Sequence, residues 1–575
     1  MSASRYLAYV RCAAAEAPQA EVIDQMSKVP LAAPINLWTS DPAVMIGTQG
    51  AIIGHLFTRA LPSRRIRELN AAETNAAIVT HGQSLIRDYW GGYVAIFQIA
   101  GGDIVIVRDP SGSLPAFWRE IDGGVVLAPQ VGTPPFAASD GISVDLDALL
   151  IHMWHPFYAG EQTCLSGVRE IVPGGRLHIG PSTQRSDLLW QPWNHITGRA
   201  RLGPASIEHL RATVLDAIKT WAGEFASISS GLSGGLDSSI VCAGLAGATS
   251  SPRGFHMSWT DREGDEKSYA QLVARALDMP LDIFPYDLDA IDVAQPVVAH
   301  AARPLMAHYA QSTAKAQDMI AERHNIGAFF TGHGGDNVFG MTHSIAPILD
   351  RNRDGAGVRA VIASLRDVSK LHDASYATIL LHIARHVVRG ARKAARGTPG
   401  FLNVERLNAA KERIAIHPWL APPEGIALGA AAHIRALARA VGYEGFHDRR
   451  VQPPTIAPLL AQPVMELCLG IPSWRWIEGG IDRSMARRAF SSDLPPAITA
   501  RRTKGGPAGF LDRYYWDNEG KILSFLRSGF LIDHDLIRGV PLPDPQSGSP
   551  AYDRAHARRL LGLAGAESWA RQWAG

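Results

Sequence analysis

The chain has few cysteines, no long uninterrupted apolar run and almost no net charge, and each of these scarcities excludes a class of protein. Its 575 residues include 4 cysteines, far apart and without a CxxC pair, so neither a disulfide scaffold nor a structural zinc site is expected. The longest apolar stretches contain His or Arg within about 18 residues, so no membrane span is predicted. With 56 basic and 54 acidic residues, the net charge gives no reason to expect nucleic acid or an anionic membrane as a partner.

The amino-terminal residues also lack the order of a signal peptide, because Arg5 and Arg11 interrupt the apolar positions. A protein of the reducing cytoplasm is therefore expected. What the chain does have is 46% hydrophobic residues, enough to form folded cores. Its length predicts two large domains or three to four of average size.

The residue pattern of the chain changes near residues 192–206, where Pro, Gly and Arg replace the periodic apolar residues. This change predicts a domain boundary. Before this stretch, β-branched runs alternate with Gly-rich turns, as in the hairpin pattern of residues 94–112. After it, a helix is predicted over residues 206–222, capped by Ser206, and strand patterns then alternate with helical ones. The sequence thus predicts an α/β protein, with a β-rich domain over 1–200 and a doubly wound parallel sheet with helical additions over 205–575.

A Gly-rich turn between a predicted strand and a predicted helix is the most informative motif. It consists of Ser233, Gly234, Gly235, Leu236, Asp237, Ser238 and Ser239. Such a turn aims unpaired backbone N–H groups and the positive end of a helix dipole at one point, which predicts an anion site. The glycines would let the main chain approach a pyrophosphate, the hydroxyls would donate, and Asp237 would offer an oxygen to Mg²⁺.

A second Gly-rich turn follows another predicted strand and contains Thr331, Gly332, His333 and Asp336. Asp336 stands 99 residues after Asp237, a separation that two strand–helix crossovers would fill. Both turns would then open at the carboxyl edge of one sheet, where such folds bind ligands. Considered alone, a Gly-rich turn with one aspartate is most often only a turn.

Together these motifs resemble those of asparagine synthetases, which use ATP to adenylate a carboxylate before forming an amide. The resemblance implies an adenine nucleotide α-hydrolase-like (PP-loop) synthetase domain in which Asp237 and Asp336 share the Mg²⁺ of the bound ATP. It also implies that the backbones of Leu232 and Met257 contact the adenine, although their side chains could equally be core residues. Lys504, in a basic loop over residues 494–507, matches a lysine that reaches the phosphates.

The amino-terminal half resembles the Ntn-hydrolase-like, class II glutamine amidotransferase-like domain of the same family. That domain uses a cysteine directly after the initiator Met as its nucleophile, whereas this chain has Ser2. The domain over residues 1–200 is therefore expected to be degenerate, a retained scaffold without glutaminase activity.

Two departures in the second turn bear on the reaction. Asparagine synthetases have acids where this chain has His333 and Asn337, and His333 stands in the place of a catalytic glutamate. Its imidazole could take a proton from an attacking amine or form a polar wall. Free ammonia is then no longer the natural acceptor.

Synthetase-like chains without the amino-terminal cysteine include β-lactam synthetases and lasso peptide macrocyclases, and this chain most resembles the macrocyclases. The resemblance implies a precursor or core peptide as substrate, whose Asp or Glu side chain is joined to its α-amine, with a leader peptidase and a leader-binding protein as possible partners. The alternatives are β-lactam synthetase-like ring closure, asparagine synthetase-like amidation, and a catalytically dead scaffold that binds nucleotide or peptide.

Overall fold

The computed structural model describes most of the chain. The described residues are 4–11, 26–121, 123–132, 136, 141–156, 160–181, 183–196, 205–248, 251–259, 266–299, 301–389, 400–415, 417–441, 452–503, 505, 508–540 and 554–574. None of the helices in these ranges is both long enough and apolar enough to cross a membrane.

The amino-terminal part is a sandwich of two antiparallel sheets. In chain order its strands are β1 (Tyr6–Arg11), β2 (Ser27–Val29), β3 (Ile35–Thr39), β4 (Val44–Ile46), β5 (Gly50–Thr58), β6 (Tyr89–Gln98), β7 (Ile104–Arg108), β8 (Phe117–Ile121), β9 (Gly124–Ala128), β10 (Arg169–Glu170), β11 (Gly175–Ile179) and β12 (Gln184–Leu188). The first sheet has the order β10-β8-β9-β1-β3-β2 and the second the order β12-β11-β7-β6-β5-β4. The predicted hairpin is confirmed, because β6 and β7 pair antiparallel across Gly101 and Gly102.

Helices cover both outer faces of this sandwich. The first three are α1 (Ala71–Val79), α2 (Gln83–Asp88) and α3 (Leu146–Trp154). Strands β1, β6, β7 and β9 are buried along almost their whole length, so both sides of each sheet need an apolar cover. Side chains such as Leu37 and Ile53 fill the space between the sheets, whereas Phe57 on the outer side of the second sheet contacts Trp221, with ring centroids 5.2 Å apart.

The carboxyl-terminal part contains a parallel sheet among many helices. Its strands are β13 (Ile228–Gly231), β14 (Arg253–Ser258), β15 (Leu281–Pro285), β16 (Ala328–Phe330) and β17 (Thr455–Ile456). Its helices are α4 (Ala205–Ala222), α5 (Leu236–Ala246), α6 (Lys267–Ala276), α7 (Ala310–His324), α8 (Gly335–Val338), α9 (Ala346–Arg353), α10 (Val358–His372), α11 (Tyr376–Arg389), α12 (Val404–Arg413), α13 (Leu428–Val441), α14 (Gln462–Leu469), α15 (Ser484–Ala489), α16 (Pro496–Thr499), α17 (Ala508–Arg527), α18 (Phe530–Asp533) and α19 (Arg554–Ala574). Short 3₁₀ helices span Pro192–His195, Pro418–Leu420, Pro458–Leu460 and Ser473–Ile477.

The strand order of the parallel sheet, β15-β14-β13-β16-β17, identifies where a ligand would bind. All four neighbouring pairs are parallel, and the order reverses between β13 and β16. A crevice opens at such a switch point, outside the carboxyl ends of the strands. The two Gly-rich turns follow β13 and β16, so they flank this crevice, and the predicted fold class is confirmed.

Several details differ from the sequence-based expectations. Three helices, α5, α6 and α7, connect β13 to β16 through β14 and β15, so the prediction of two crossovers is wrong. Ser206 lies inside α4, which begins at Ala205, and does not cap it. Among the described residues, Cys164, Cys242 and Cys468 are buried free thiols, as predicted. The domain boundary near 192–206 stays a prediction, since residues 197–204 lie outside the described ranges.

A buried ion triad joins the sandwich to the carboxyl-terminal part. The Glu170 carboxylate in β10 accepts a hydrogen bond of 2.6 Å from Arg108 in β7 and another from Arg303, which precedes α7. At most 11% of any of the three side chains is exposed. Burial alone would raise the pKa of Glu170, but Arg303 and Arg108 outweigh burial and hold that pKa below its usual value.

We expect Glu170→Gln to lower the free energy of unfolding by about 3–5 kcal/mol at neutral pH, because it leaves two buried guanidinium groups without their carboxylate. The pKa of Glu170 is lowered in the folded state, so its stabilisation is present above the unfolded value of 4.5 and is lost as the pH falls below it. In urea unfolding, the difference in the free energy of unfolding between wild type and Glu170→Gln should therefore become smaller as the pH falls below 4.5. Glu161→Gln is the matched control; its side chain is 39% exposed beside Arg169, and its loss should be under about 1 kcal/mol.

The two Gly-rich turns touch each other at Gly332. A Cβ atom there would lie 2.5 Å from the backbone nitrogen of Ser238 and 2.7 Å from the carbonyl carbon of Asp237. Backbone atoms cannot give way as the end of a flexible side chain can, so only glycine lets the second turn approach the first. The distance between Asp237 and Asp336 therefore depends on the absence of a side chain at residue 332.

Gly332→Ala should force the two turns apart and lower the free energy of unfolding by about 1–3 kcal/mol, the usual range for overpacking. The control is Gly520→Ala on the exposed face of α17, where an added Cβ meets no atom within 4 Å. There the loss of backbone freedom in the unfolded chain should stabilise the protein by up to about 1 kcal/mol. Equal urea midpoints for the two variants would contradict the close approach of the turns.

Candidate active site

A cavity of about 460 Å³ opens at the switch point of the parallel sheet. It is lined by Gly231, Leu232, Ser233, Gly235, Leu236, Asp237, Ser238, Phe255, His256, Met257, Trp259, Glu266, Tyr286, Thr331, Gly332, His333, Gly334, Asp336, Asn337, Arg483, Arg487, Ile498, Arg501, Thr503 and Gly505. Most of the residues predicted from the sequence are in this set. Gly234 and Ser239 are not, and Lys504 lies outside the described residues, although its neighbours Thr503 and Gly505 both line the cavity.

The first turn is held in shape by its own serines. The Ser238 hydroxyl lies 3.0 Å from the Ser233 hydroxyl, and the backbone N–H of Gly235 donates to Ser233 Oγ. Gly235 precedes the first residue of α5, and the residues from Gly235 to Ser238 line the cavity, so the start of this helix lies at the cavity. Asp237 itself stands in the first turn of α5, where the helix dipole favours a carboxylate.

Two residues of the same motif have structural contacts that the sequence did not reveal. Gly234 has a φ of 76°, and an added Cβ would lie 2.5 Å from Tyr269 Cβ, so this glycine allows the turn to pack against α6. The hydroxyl of Ser239 is fully buried and donates to the carbonyl of Gly235 at 2.7 Å. Their predicted nucleotide contacts stay predictions, and neither residue lines the cavity.

The carboxylates of the two turns converge on a single cation, the guanidinium of Arg483. Arg483 Nη1 donates to Asp237 Oδ2 at 2.8 Å and also to Asp336 Oδ1. The Asp237 side chain is 10% exposed and that of Asp336 is 30% exposed. Two carboxylates this close to one point would repel each other strongly without a positive charge between them.

Arg483 is fixed at its base. It adopts a left-handed conformation, with a φ of 51°, at the residue before α15, and its Nε donates to Asp482 at 2.6 Å. Burial alone would lower the pKa of Arg483, but the carboxylates of Asp237, Asp336 and Asp482 outweigh burial and raise this pKa above its usual value. The side chain is therefore a permanent cation in the crevice.

The chemistry of this donor set fits Mg²⁺. The ion prefers hard oxygen ligands and, in nucleotide sites, is usually bound through one or two carboxylates while phosphates and water complete its shell. Asp237 and Asp336 supply two such carboxylates at a position where the structure already accommodates a cation. Among the described residues there is no cluster of three or more His, Cys, Asp or Glu side chains that would form an all-protein metal site.

Helix α13 holds the second turn through its backbone carbonyls. His333 Nε2 lies 3.0 Å from the carbonyl of Ala440, and the Asn337 amide donates to the carbonyl of Ala436 at 2.7 Å. A carbonyl only accepts, so Nε2 of His333 carries the proton and Nδ1 is the basic nitrogen of the neutral ring. A carboxylate at residue 337 could not make the second bond, which gives the departure at Asn337 a structural reason.

A third contact comes from α13 itself. His433 Nε2 lies 2.9 Å from the carbonyl of Val338 at the end of the second turn. Burial lowers the pKa of His433 to about 4, so its ring is neutral at physiological pH and its Nε2 donates to this carbonyl. The second turn thus donates hydrogen bonds to carbonyls of α13, and α13 donates one to the second turn. These bonds limit how far Asp336 can move.

The basic loop is tied to the first turn. Arg501 Nη1 donates to the carbonyl of Gly234 at 3.2 Å, and its Nη2 lies 2.8 Å from Glu266. The guanidinium also stacks over Tyr269, 3.9 Å from the ring centroid. Glu266 accepts a further bond of 3.0 Å from the backbone N–H of Gly505, directly after Lys504.

Aromatic side chains form the wall on the β14–β15 side. Trp259 follows β14 and Tyr286 follows β15, and both line the cavity. Phe510 of α17 supports them, with ring centroids 5.2 Å from Trp259 and 4.6 Å from Tyr286. The cavity thus has a polar end at the two turns and an aromatic end beside Met257.

The sequence analysis missed Arg483, Arg501, Glu266 and the aromatic wall. Arg483 and Arg501 are two arginines among the 56 basic residues, and they meet the first turn only after folding. Arg483 follows Asp237 by 246 residues, and its one local signal is the pair that it forms with Asp482.

Comparison with known proteins identifies the family of the central region. The family model described as Asparagine synthase matches residues 209–412, a stretch that contains both turns. No curated protein matches the chain. Among solved structures, the chain is similar at 10% identity to the allosteric regulatory enzyme of purine biosynthesis, over 65% of this chain and 87% of that one, with a TM-score of 0.19.

A second solved structure, glutamine phosphoribosylpyrophosphate amidotransferase from B. subtilis complexed with ADP and GMP, is also 10% identical to the chain. The match covers 63% of this chain and 80% of the amidotransferase chain, with a TM-score of 0.17. The match to the family model alone shows that residues 209–412 form an asparagine synthetase-like domain and that the chain is an ATP-dependent enzyme that forms amide bonds.

Proposed function

We propose that the enzyme is a lasso peptide macrocyclase. It adenylates the side-chain carboxylate of an Asp or Glu in a core peptide and joins that carboxylate to the peptide's own α-amine. The products are a ring closed by an isopeptide bond, AMP and pyrophosphate. A leader peptidase and a leader-binding protein would act beside it in the cytoplasm.

The observation that carries this proposal is the convergence of Asp237 and Asp336 on one cation beside the α5 helix end. ATP would bind with its phosphates along the first turn and its base toward Met257 and the aromatic wall. When bound, Mg²⁺ would be held by the two carboxylates and would offset charge that develops on the phosphate oxygens. Leu232 and Met257 line the cavity where their backbones would meet the base.

In the first step, an oxygen of the peptide carboxylate attacks the α-phosphorus of ATP, and the bond to the bridging oxygen of pyrophosphate breaks. This activation is needed because a carboxylate is a poor electrophile and hydroxide is a poor leaving group. The leaving pyrophosphate gains charge, which the N–H groups and dipole at the start of α5 and the cation of Lys504 would stabilise.

In the second step, the α-amine attacks the acyl carbon, AMP leaves, and the amine loses one proton. His333 lines the cavity, and its basic nitrogen is Nδ1, which makes this atom the proton acceptor in the proposal. The remaining rate enhancement would come from binding the peptide in a folded conformation in which the amine is already in contact with the acyl carbon. The enzyme would thereby hold the two reacting groups in position instead of waiting for them to meet.

Two features favour a peptide amine over ammonia. Ser2 stands where the resemblance places the nucleophilic cysteine of a glutamine-hydrolysing domain, which favours an acceptor amine other than glutamine-derived ammonia. In the second turn, His333 and Asn337 replace acids and bond to carbonyls of α13. β-Lactam synthetase-like ring closure and asparagine synthetase-like amidation are the alternatives that the experiment must separate.

The test is to incubate the enzyme with Mg·ATP and a synthetic core peptide, without its leader, taken from a short reading frame beside the gene. We expect AMP, pyrophosphate and a product lighter by one water with a blocked α-amine, detected by mass spectrometry. A peptide with Asn in place of the ring-forming Asp, or one with an acetylated α-amine, should give no ring. Amide formation from aspartate and ammonium would favour amidation instead, and ADP as the product would contradict the proposal.

Asp237→Asn and Asp336→Asn should each lower the rate of AMP release by about 10²–10³-fold, the usual effect of removing one group that stabilises charge in a transition state. Asp517→Asn is the matched control, because this aspartate is 40% exposed on α17 and does not line the cavity. Single-turnover assays with the core peptide would measure the rate of AMP release in all three variants. Unchanged AMP release in both cavity variants would contradict the proposed site.

A further inference from the structure

Arg483 occupies the position on which the carboxylates of Asp237 and Asp336 converge, so a metal ion that enters this position must displace the guanidinium. The guanidinium contacts Asp237 and Asp336 with the same nitrogen, Nη1. A divalent cation bound by the same two oxygens would have to lie where Nη1 lies. A metal ion bound by Asp237 Oδ2 and Asp336 Oδ1 and this arrangement of Arg483 therefore exclude each other.

We infer that Arg483 is an internal counter-cation that keeps free divalent metal out of the site, so that metal enters only together with the nucleotide. The inference rests on the proposed ATP-binding function of this cavity. It adds an order of binding that neither the family match nor the reaction itself requires.

The contacts of Arg483 explain why free metal would bind poorly. Its side chain is 6% exposed and makes ion pairs with Asp237, Asp336 and Asp482. A metal ion arriving alone would separate the guanidinium from two of its three carboxylates without supplying a new anion, and breaking buried ion pairs in this way is strongly unfavourable. The gain from metal binding would be largely offset by this loss.

A nucleotide changes that balance because it supplies anions. Triphosphate oxygens at the start of α5 would give the distal end of Arg483 a new partner as the metal takes over the carboxylates. Guanidinium groups match phosphate geometry well, and the exchange leaves every charge paired. Because Nε stays bonded to Asp482, at 2.6 Å, only the distal end of the side chain needs to move.

The other two arginines that the structure describes in the cavity lining, Arg487 and Arg501, are held by other partners. Arg487 also lines the cavity, but its guanidinium bonds to Asp482 and to the carbonyl of Thr499 at 2.9 Å. Arg501 is held by Glu266 and the carbonyl of Gly234. Among the described cavity residues, Arg483 alone is recorded in contact with both carboxylates.

The test measures binding of Mn²⁺ alone to the full-length enzyme, by the loss of the free-ion signal in electron paramagnetic resonance. The variant is Arg483→Asn, because Asn removes the charge and adopts the left-handed conformation readily. Wild type should bind Mn²⁺ weakly, and the variant should bind at least about tenfold more tightly, the factor expected for one close charge contact. Mn²⁺ should also raise the thermal midpoint of the variant but not of wild type.

Two further proteins make the result specific. In Arg483→Asn combined with Asp336→Asn, the gained Mn²⁺ affinity should be lost, since one of the two carboxylates is gone. Arg488→Met removes a charge from the same helix at a side chain that is 45% exposed and paired with Glu478. This control should bind Mn²⁺ as weakly as wild type does.

A separate arm distinguishes failure of this inference from failure of the proposed function. Wild type should bind Mn²⁺ with the α,β-methylene analogue of ATP, measured by calorimetry. If it does, but also binds Mn²⁺ alone as tightly as Arg483→Asn does, the exclusion of free metal is wrong and the nucleotide site stands. If wild type binds neither the metal nor the metal–analogue complex, the nucleotide assignment is wrong, and this inference with it.

Discussion

Two carboxylates that face each other across a crevice need a cation between them, and the architecture of the carboxyl-terminal part meets this requirement. Asp237 and Asp336 are brought together by the switch point of the parallel sheet, by the glycine at residue 332 and by the carbonyls of α13. Their mutual repulsion would open the crevice if no positive charge were present. Arg483 supplies that charge within the protein itself.

The same requirement explains why the site draws on such distant parts of the chain. The first turn precedes α5, the second precedes α8, Arg483 precedes α15, and the basic loop follows α16. Each contributes from the end of an element, where backbone N–H groups or side chains are not used by regular structure. Glu266 and Arg501 then tie the basic loop to the first turn, so that groups of opposite charge enclose the cavity from several directions.

Some of this arrangement could be predicted from the sequence, because the conformation of a tight turn depends mainly on the residues within it. The seven residues from Ser233 to Ser239 specify a strand-to-helix turn by their own composition, and the strand patterns around them predicted a doubly wound sheet. Arg483 could not be predicted in this way. An arginine carries no local pattern for what it will contact, and its left-handed backbone at the start of α15 gives no signal in a non-glycine residue.

The incorrect predictions concern features that the local sequence does not determine. Ser206 has the residue type of a helix cap, yet α4 begins one residue earlier, and propensity at a helix end is easily overridden by packing. The count of two crossovers followed from chain length alone, whereas the three short connections through α5, α6 and α7 fit the same 99 residues. The positive φ of Gly234 lets the turn pack against α6, a contact that its place in a Gly-rich motif did not reveal.

The amino-terminal sandwich packs against the carboxyl-terminal part through an extended interface. Its second sheet is apolar on both faces, and the outer face is covered by α4, as at the contact of Phe57 with Trp221. Across the same interface, Glu466 of α14 accepts bonds from Arg59 at 2.6 Å and from the Trp190 indole at 2.8 Å. Helix α4 also packs against α5, which carries Asp237. The sandwich is therefore part of the packing against which the first turn is held.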